Sequence, residues 1–274
     1  MEIKATDVAK LRQMTGTGMM DCKNALVEAH GDFERAKEII REKGKLIAAK
    51  RADRDTTEGS VIALANEQRN KAILVCVSCE TDFVAKNEDF VQLAKAIANA
   101  ALAQSPADLA ALKALTLNGV TIEESLTAQT GKSGEKHALP FYAKIEAPYI
   151  ATYIHINNKV ATIVGFNKSI AAENGKEIAM QITAMSPVSV SKDNCPQSVI
   201  DKELEIYREQ IRLEGKPEQM VEQIAKGKLN KFFKDSTLEE QVFVRDGKIT
   251  VAEYLKTLDP ALKVTGFFRY SLND

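Results

Sequence analysis

The sequence predicts an α+β protein with antiparallel sheets, and three observations carry that expectation. The first 43 residues place apolar side chains at helical spacing in three runs separated by glycine-bearing breaks. Two pairs of β-branched runs, 60–65 with 72–77 and 149–156 with 159–166, are each joined by a short polar loop and followed by a long helical pattern. Residues 197–230 carry a narrow apolar stripe at alternating intervals of four and three, as an antiparallel helical hairpin does. The expected outline is a three-helix module over 1–44, a linker over 45–57 and a first core lobe over 58–140. A second lobe takes 141–196 and 231–274, with 197–230 as a helical hairpin arm between its two parts.

Composition bounds the function. A chain of 274 residues that is 45% hydrophobic can bury substantial cores. Lysine and arginine total 37 against 38 acidic residues, so a net charge of −1 draws the whole protein neither to nucleic acid nor to anionic lipid. The start, Met1-Glu2-Ile3-Lys4, leads into a helical pattern with no apolar signal run, which reads as cytoplasmic. Cys22, Cys76, Cys79 and Cys195 are too scattered for a disulfide framework. Cys76 and Cys79 have C-x-x-C spacing, but residues three apart on a strand point to opposite faces, which argues against a redox or zinc pair. His30, His137 and His155 show no ligand spacing, so neither a metal nor another cofactor is expected.

In chain order, Thr6 or Asp7 is placed to cap a first helix with Val8, Leu11 and Met14 on its apolar face. Thr15-Gly16-Thr17-Gly18 makes a tight turn; with no strand before it and no Lys-Ser/Thr after it, it is not a phosphate loop. Met19, Cys22, Ala25, Leu26 and Ala29 mark the second helix, and because Met19 and Met20 are adjacent, one of them must face outward. Asp32 caps a third helix with Phe33, Ala36, Ile39 and Ile40. Residues 44–57 are charged, without a sustained apolar face, and read as a helical or flexible linker.

The strands 60–65 and 72–77 lead into Cys79-Glu80-Thr81-Asp82-Phe83-Val84-Ala85-Lys86. Two readings fit this connection: Asp82 caps the next helix while Phe83 enters the core, or both are displayed to a partner from rigid flanking elements. Asn87 caps the helix that follows, whose buried face is Phe90, Leu93, Ala94, Ile97, Ala101 and Leu102. After Pro106 come helical pieces near 107–115 and 121–130, and a loop, Thr130-Gly131-Lys132-Ser133-Gly134, closes the lobe. The second lobe is expected to begin with the strand Tyr142–Ala147, followed by a hairpin turning on the two residues Asn157-Asn158 and a helix over 171–185 stopped by Pro187. The shared outline of hairpin plus helix hints at a duplication. Ile200, Leu204, Tyr207 and Ile211, then Met220 and Ile224 beyond Gly215-Lys216-Pro217, form the seam of an arm suited to projecting from the body. A helix near 251–258 and a strand over 264–270 complete the second sheet.

No nucleophile elbow, Walker sequence, zinc-protease motif or guanine-binding Asn-Lys-x-Asp is present, which points away from covalent chemistry and toward action on another protein. Leu11-Arg12-x-x-Thr15-Gly16-x-Gly18-Met19-Met20-Asp21-Cys22-Lys23-x-Ala25-Leu26, together with Thr81-Asp82-Phe83-Val84-Ala85, closely resembles the bacterial translation elongation factor Ts family. Its members are guanine-nucleotide exchange factors for the GTPase elongation factor Tu. The likeness runs over nearly the whole chain to Thr265-Gly266-Phe267, although some members carry an extra terminal helix beyond the point matching Asp274. The resemblance implies a module similar in layout to ubiquitin-associated domains, docking on the partner through Arg12, Met19, Met20 and Lys23. It implies that Thr81, Asp82, Phe83 and Val84 form a wedge beside the partner's magnesium and nucleotide, with His155 as a further contact. It also implies a coiled-coil arm used in self-association or further contact, and a nucleotide-free partner held until GTP binds. The alternatives are a non-catalytic adaptor and a thiol oxidoreductase using Cys76 and Cys79.

Overall fold

The computed structural model describes residues 3–272. Helices α1 (Ala5–Thr15), α2 (Met19–Glu28) and α3 (Phe33–Lys50) enclose a small cluster of Val8, Leu11, Cys22, Leu26, Ala36 and Ile39. Asp32 caps α3 as expected, accepting from Glu34 N–H at 2.8 Å and Arg35 N–H at 3.0 Å. The first helix differs: it starts at Ala5, so Thr6 and Asp7 lie inside its first turn, where the Asp7 charge suits the positive end of the helix. Met14 faces solvent rather than the core.

Strands β1 (Glu58–Ala65) and β2 (Lys71–Cys79) are followed by the one-turn helix α4 (Asp82–Ala85) and by α5 (Glu88–Gln104). Then come α6 (Leu109–Ala114), the short hairpin β3 (Thr116–Leu117) and β4 (Val120–Thr121), α7 (Ile122–Ser133) and β5 (His137–Glu146). The second half holds β6 (Tyr149–Ile154), β7 (Val160–Phe166), α8 (Ala172–Met185), α9 (Gln197–Leu213), α10 (Glu218–Ser236), α11 (Val251–Leu258) and β8 (Val264–Ser271). Two antiparallel sheets, ordered β1-β2-β5 and β6-β7-β8, pack face to face.

Each central strand is buried on both faces, which explains the unbroken apolar runs in the sequence. Ala72, Leu74 and Cys76 of β2 meet Ile150, Ala161 and Ile163 of the other sheet. Ile73, Val75, Val77 and Cys79 point the opposite way, onto Phe90, Ile97, Leu112 and Leu126 of the helical layer. In the second half Val164 and Phe166 pack on Ile178, Ile182 and Leu255.

Several expectations are corrected. The run Tyr142–Ala147 does not open the second lobe: through Glu146 it belongs to β5, which pairs with β2, and Tyr142 hydroxyl bonds to Pro106 carbonyl at 3.1 Å. Residues 130–133 are the last turn of α7 rather than a loop. Of the segment expected to be a helical or flexible linker, residues 45–50 are the last turns of α3 and 51–57 are not helical; Gly44 lies directly on α7, where a Cβ at Gly131 would stand 2.7 Å from Gly44 Cα. The 155–160 hairpin is wider than two asparagines, with His155 N–H bonded to Val160 carbonyl and only Asn158 at positive φ, 56°. On the hairpin α9–α10, Val221 replaces Met220 in the seam with Ile211 and Ala225, and α10 extends to Ser236.

The hint of duplication is substantiated in detail. Asn66 N–H bonds to Lys71 carbonyl and Arg69 N–H to Asn66 carbonyl, with Arg69 at φ 52°, repeating the 155–160 turn. Both long helices end on a left-handed serine before proline, Ser105-Pro106 and Ser186-Pro187. Capping boxes start both α7 (Thr121 with Glu124) and α11 (Thr250 with Glu253). The lobes also exchange reciprocal bonds: Val61 N–H to Asn158 carbonyl and Ile150 N–H to Arg69 carbonyl, each 2.7 Å. Such reciprocity is the mark of a local pseudo-two-fold relationship.

Phe90 is fully enclosed between α5, β2 and β5. Phe90→Ala is expected to cost about 3–5 kcal/mol, read as a lowered urea midpoint.

Candidate functional site

The site is built where β2 ends. Glu80 follows the strand and accepts from Arg51 Nη1 at 2.9 Å and from Lys136 N–H at 2.6 Å. Thr81 comes next and is gripped by one carboxylate: its N–H donates to Glu135 Oε2 at 3.1 Å and its Oγ1 donates to Glu135 Oε1 at 2.8 Å. The same Oγ1 accepts from Val84 N–H at 3.4 Å, so Thr81 is the N-cap of α4. A single helical turn is unstable by itself. Here it is seated by Val84 and Ala85, which pack on the first lobe's core.

Phe83 points the other way and is 83% exposed. The core-aromatic reading therefore fails: a side chain that would gain roughly 1.5–3 kcal/mol from burial is left in water on a clamped turn. Asp82 does not cap the following helix either, because Asn87 does so through Asp89 N–H at 2.9 Å. Asp82 instead meets Lys86 Nζ at 2.6 Å, one turn on, and that bond holds its carboxyl below the usual carboxylate range. An exposed pair of this kind is readily exchanged for another partner.

Across from α4 lies the tip of the β6–β7 hairpin. Asp82, Ala85 and Lys86 share one open groove, about 750 Å³, with Ile154, Ile156, Asn157 and Lys159. The tip is tied to the first lobe by Lys159 Nζ on Glu58 at 2.6 Å and by the Val61–Asn158 bond. His155 is exposed beside this groove and its Nδ1 lies 3.2 Å from Tyr153 hydroxyl. Ile156, 92% exposed, was not legible from the sequence, since an apolar residue in a polar turn looks incidental until the turn is seen beside Asp82.

On the three-helix unit, Arg12 near the end of α1 and Met19, Met20 and Lys23 on α2 are all exposed. Both methionines face outward, at 42% and 65%, where adjacency required only one to do so. Val27, also exposed, extends this apolar surface along α2 by two turns from Met20.

Cys76 and Cys79 lie in the two different cores, on opposite faces of β2, and burial pushes both thiols up to about 12. They carry no thiolate chemistry near neutral pH. Among the described residues no His, Cys, Asp and Glu cluster could hold a metal, and no helix is long and apolar enough to cross a membrane.

The comparisons with known proteins fit this architecture. The model of the family described as Elongation factor TS matches residues 80–274, from Glu80 onward. The chain belongs to the elongation factor Ts family. It is 48% identical to the elongation factor Ts of Christiangramia forsetii over 273 residues, covering 99% of each chain. The Amoebophilus asiaticus elongation factor Ts is 48% identical over 272 residues, with 98% of each covered. That of Porphyromonas gingivalis is 46% identical over 274 residues, covering 100% of this chain and 99% of the relative. Membership of the elongation factor Ts family makes the protein an elongation factor of protein biosynthesis.

His137, beside the clamp, is 7% exposed. Its Nδ1 lies 2.9 Å from Glu135 carbonyl, while Nε2 has no hydrogen-bond partner. Burial pushes its pKa below the ordinary histidine value. The unfolded chain therefore takes up a proton at this position near ~6.5 that the folded chain resists, and stability falls as pH drops through that value. The urea midpoint is expected to decrease from about pH 7 to about pH 5, and His137→Gln to flatten that part of the profile.

Proposed function

We propose that this protein is a guanine-nucleotide exchange factor for the translational GTPase elongation factor Tu, promoting GDP release and holding the nucleotide-free partner until GTP binds. The three-helix unit, similar in layout to ubiquitin-associated domains, docks through Arg12, Met19, Met20 and Lys23. Thr81, Asp82, Phe83 and Val84 form the wedge, of which Asp82 and Phe83 enter beside the partner's magnesium and nucleotide while Thr81 and Val84 anchor the turn, and His155 makes a second contact from the hairpin tip. The factor performs no covalent chemistry of its own, acts in the cytoplasm, and contacts neither nucleic acid nor membrane. The α9–α10 hairpin serves as a coiled-coil arm for self-association or further contact.

The observation that carries this reading is the exposure of Phe83 on a turn whose every other side of attachment is fixed. Exchange requires that factor and nucleotide weaken each other's binding by a reciprocal coupling free energy. A thousandfold acceleration needs about 4 kcal/mol of coupling. Burying Phe83 supplies roughly 1.5–3 kcal/mol. The wedge alone is marginal, so the docking surface must hold it in place, which accounts for two exposed surfaces on one chain.

Phe83→Ala with Asp82→Ala is expected to slow factor-stimulated release of labelled GDP from elongation factor Tu by roughly tenfold or more while binding largely persists. Normal exchange by the double variant would sink the wedge. Met19→Asp with Met20→Asp is expected to raise the dissociation constant at least about tenfold, checked by calorimetry; an unchanged constant would remove the docking role.

A further inference from the structure

The docking unit and the wedge are joined through side chains as well as through the chain. Helix α3 contributes to the three-helix core at one end and stops at Lys50 at the other. Arg51 follows immediately and bonds to Glu80, the residue before the Thr81 cap, at 2.9 Å. The other oxygen of Glu80 takes Lys136 N–H at 2.6 Å, and Lys136 Nζ turns back to the carbonyls of Ala52 at 2.6 Å and Arg54 at 2.9 Å. The turn after α3, the base of α4 and the approach to β5 thus close into one ring of charge-assisted hydrogen bonds. Glu80, partly buried at 15% side-chain exposure, is its centre.

The N-terminal half of α3 is held by Ala36 and Ile39 in the three-helix core, and its C-terminal half is held as well. Its backbone touches α7 at Gly44 and Gly131, and Lys132 of α7 lies across Gly16, where φ is 70° and a Cβ would come within 2.6 Å of the lysine Nζ. Helix α3 is therefore a strut, fixed near the docking surface and again at the foot of the wedge.

We infer that the Arg51–Glu80–Lys136 node is a positioning device: it sets the angle at which α4 presents Asp82 and Phe83 once the three-helix unit has docked. This inference rests on the exchange reading and deepens it. Arg51 lies apart from the exposed docking residues on α1 and α2, which keep their own core without it. Its loss leaves docking intact and lets α4 move. The wedge then spends part of its binding energy on being ordered, and maximal exchange falls.

Two measurements test this. In amide hydrogen exchange of the free protein, Arg51→Ala and Glu80→Gln should each speed exchange across Asp82–Lys86 by roughly tenfold, equal to about 1.4 kcal/mol of lost local stability. Unchanged protection there overturns the inference. In GDP release from elongation factor Tu titrated with factor, both variants should lower the maximal rate roughly five- to tenfold and leave the half-saturating concentration within about twofold. Arg51→Lys should recover part of the rate, and Arg51→Ala should slow the Phe83→Ala background little further, since both act through one wedge. Arg51→Met, which keeps the apolar stem, guards against a packing defect and should behave as Arg51→Ala does. Full-rate exchange by Arg51→Ala, or a raised half-saturating concentration at normal maximal rate, overturns the positioning role alone. Absence of stimulation by the unaltered protein overturns the exchange reading and this inference with it.

Discussion

Small side chains at the sheet-to-sheet contact, Ala63, Ala72, Cys76, Ala143 and Ala161, let the two backbones approach, while Leu74, Ile150 and Ile163 fill the space between them. Because both sheets also carry helices on their outer faces, β2 and β7 are enclosed on both sides and cannot slip register without exposing one apolar set. Everything displayed to solvent at the site hangs from this contact. Helix α4 leaves the end of β2, and the 155–160 turn is brought beside it by the reciprocal bonds that relate the lobes. A groove with one wall from each lobe is a direct result.

The second feature is asymmetry within the duplication. The first lobe inserts α4 between its hairpin and its long helix; the second lobe passes from β7 to α8 through a shorter connection with no such turn. Only the first lobe therefore carries an exposed aromatic at this position, and only there does a carboxylate, Glu135, arrive from a neighbouring segment to grip the helix cap. The polar clamp and the apolar seat of Val84 and Ala85 act on opposite sides of one short turn, so Phe83 stays in water without the turn unravelling.

Much of this was legible in the residues. The hairpins, the long helices, the Asp32 and Asn87 caps and the closing strand follow from periodicity and capping chemistry, which are local. The boundary between lobes was not, because the run from Tyr142 could extend either sheet and only its pairing with β2 settles which. Nor was the course of α3 past Lys43, because the helix meets α7 through the glycine at position 44, which offers no side chain to read.

The sequence by itself determined most of the long helices and strands and the two motifs that resemble the family, since these depend on residue identity and short spacing; Arg12, Met19, Met20, Lys23 and Thr81–Val84 became candidates through that resemblance. Tertiary structure alone decided that Phe83 stays exposed and that Asn87, not Asp82, caps the following helix. An aromatic after a strand is buried or displayed according to which neighbour holds the turn, and Glu135, Arg51 and Lys136 come from segments distant in the chain. The same holds for the groove shared by Asp82 and Ile156, whose two walls meet only because the sheets pack face to face.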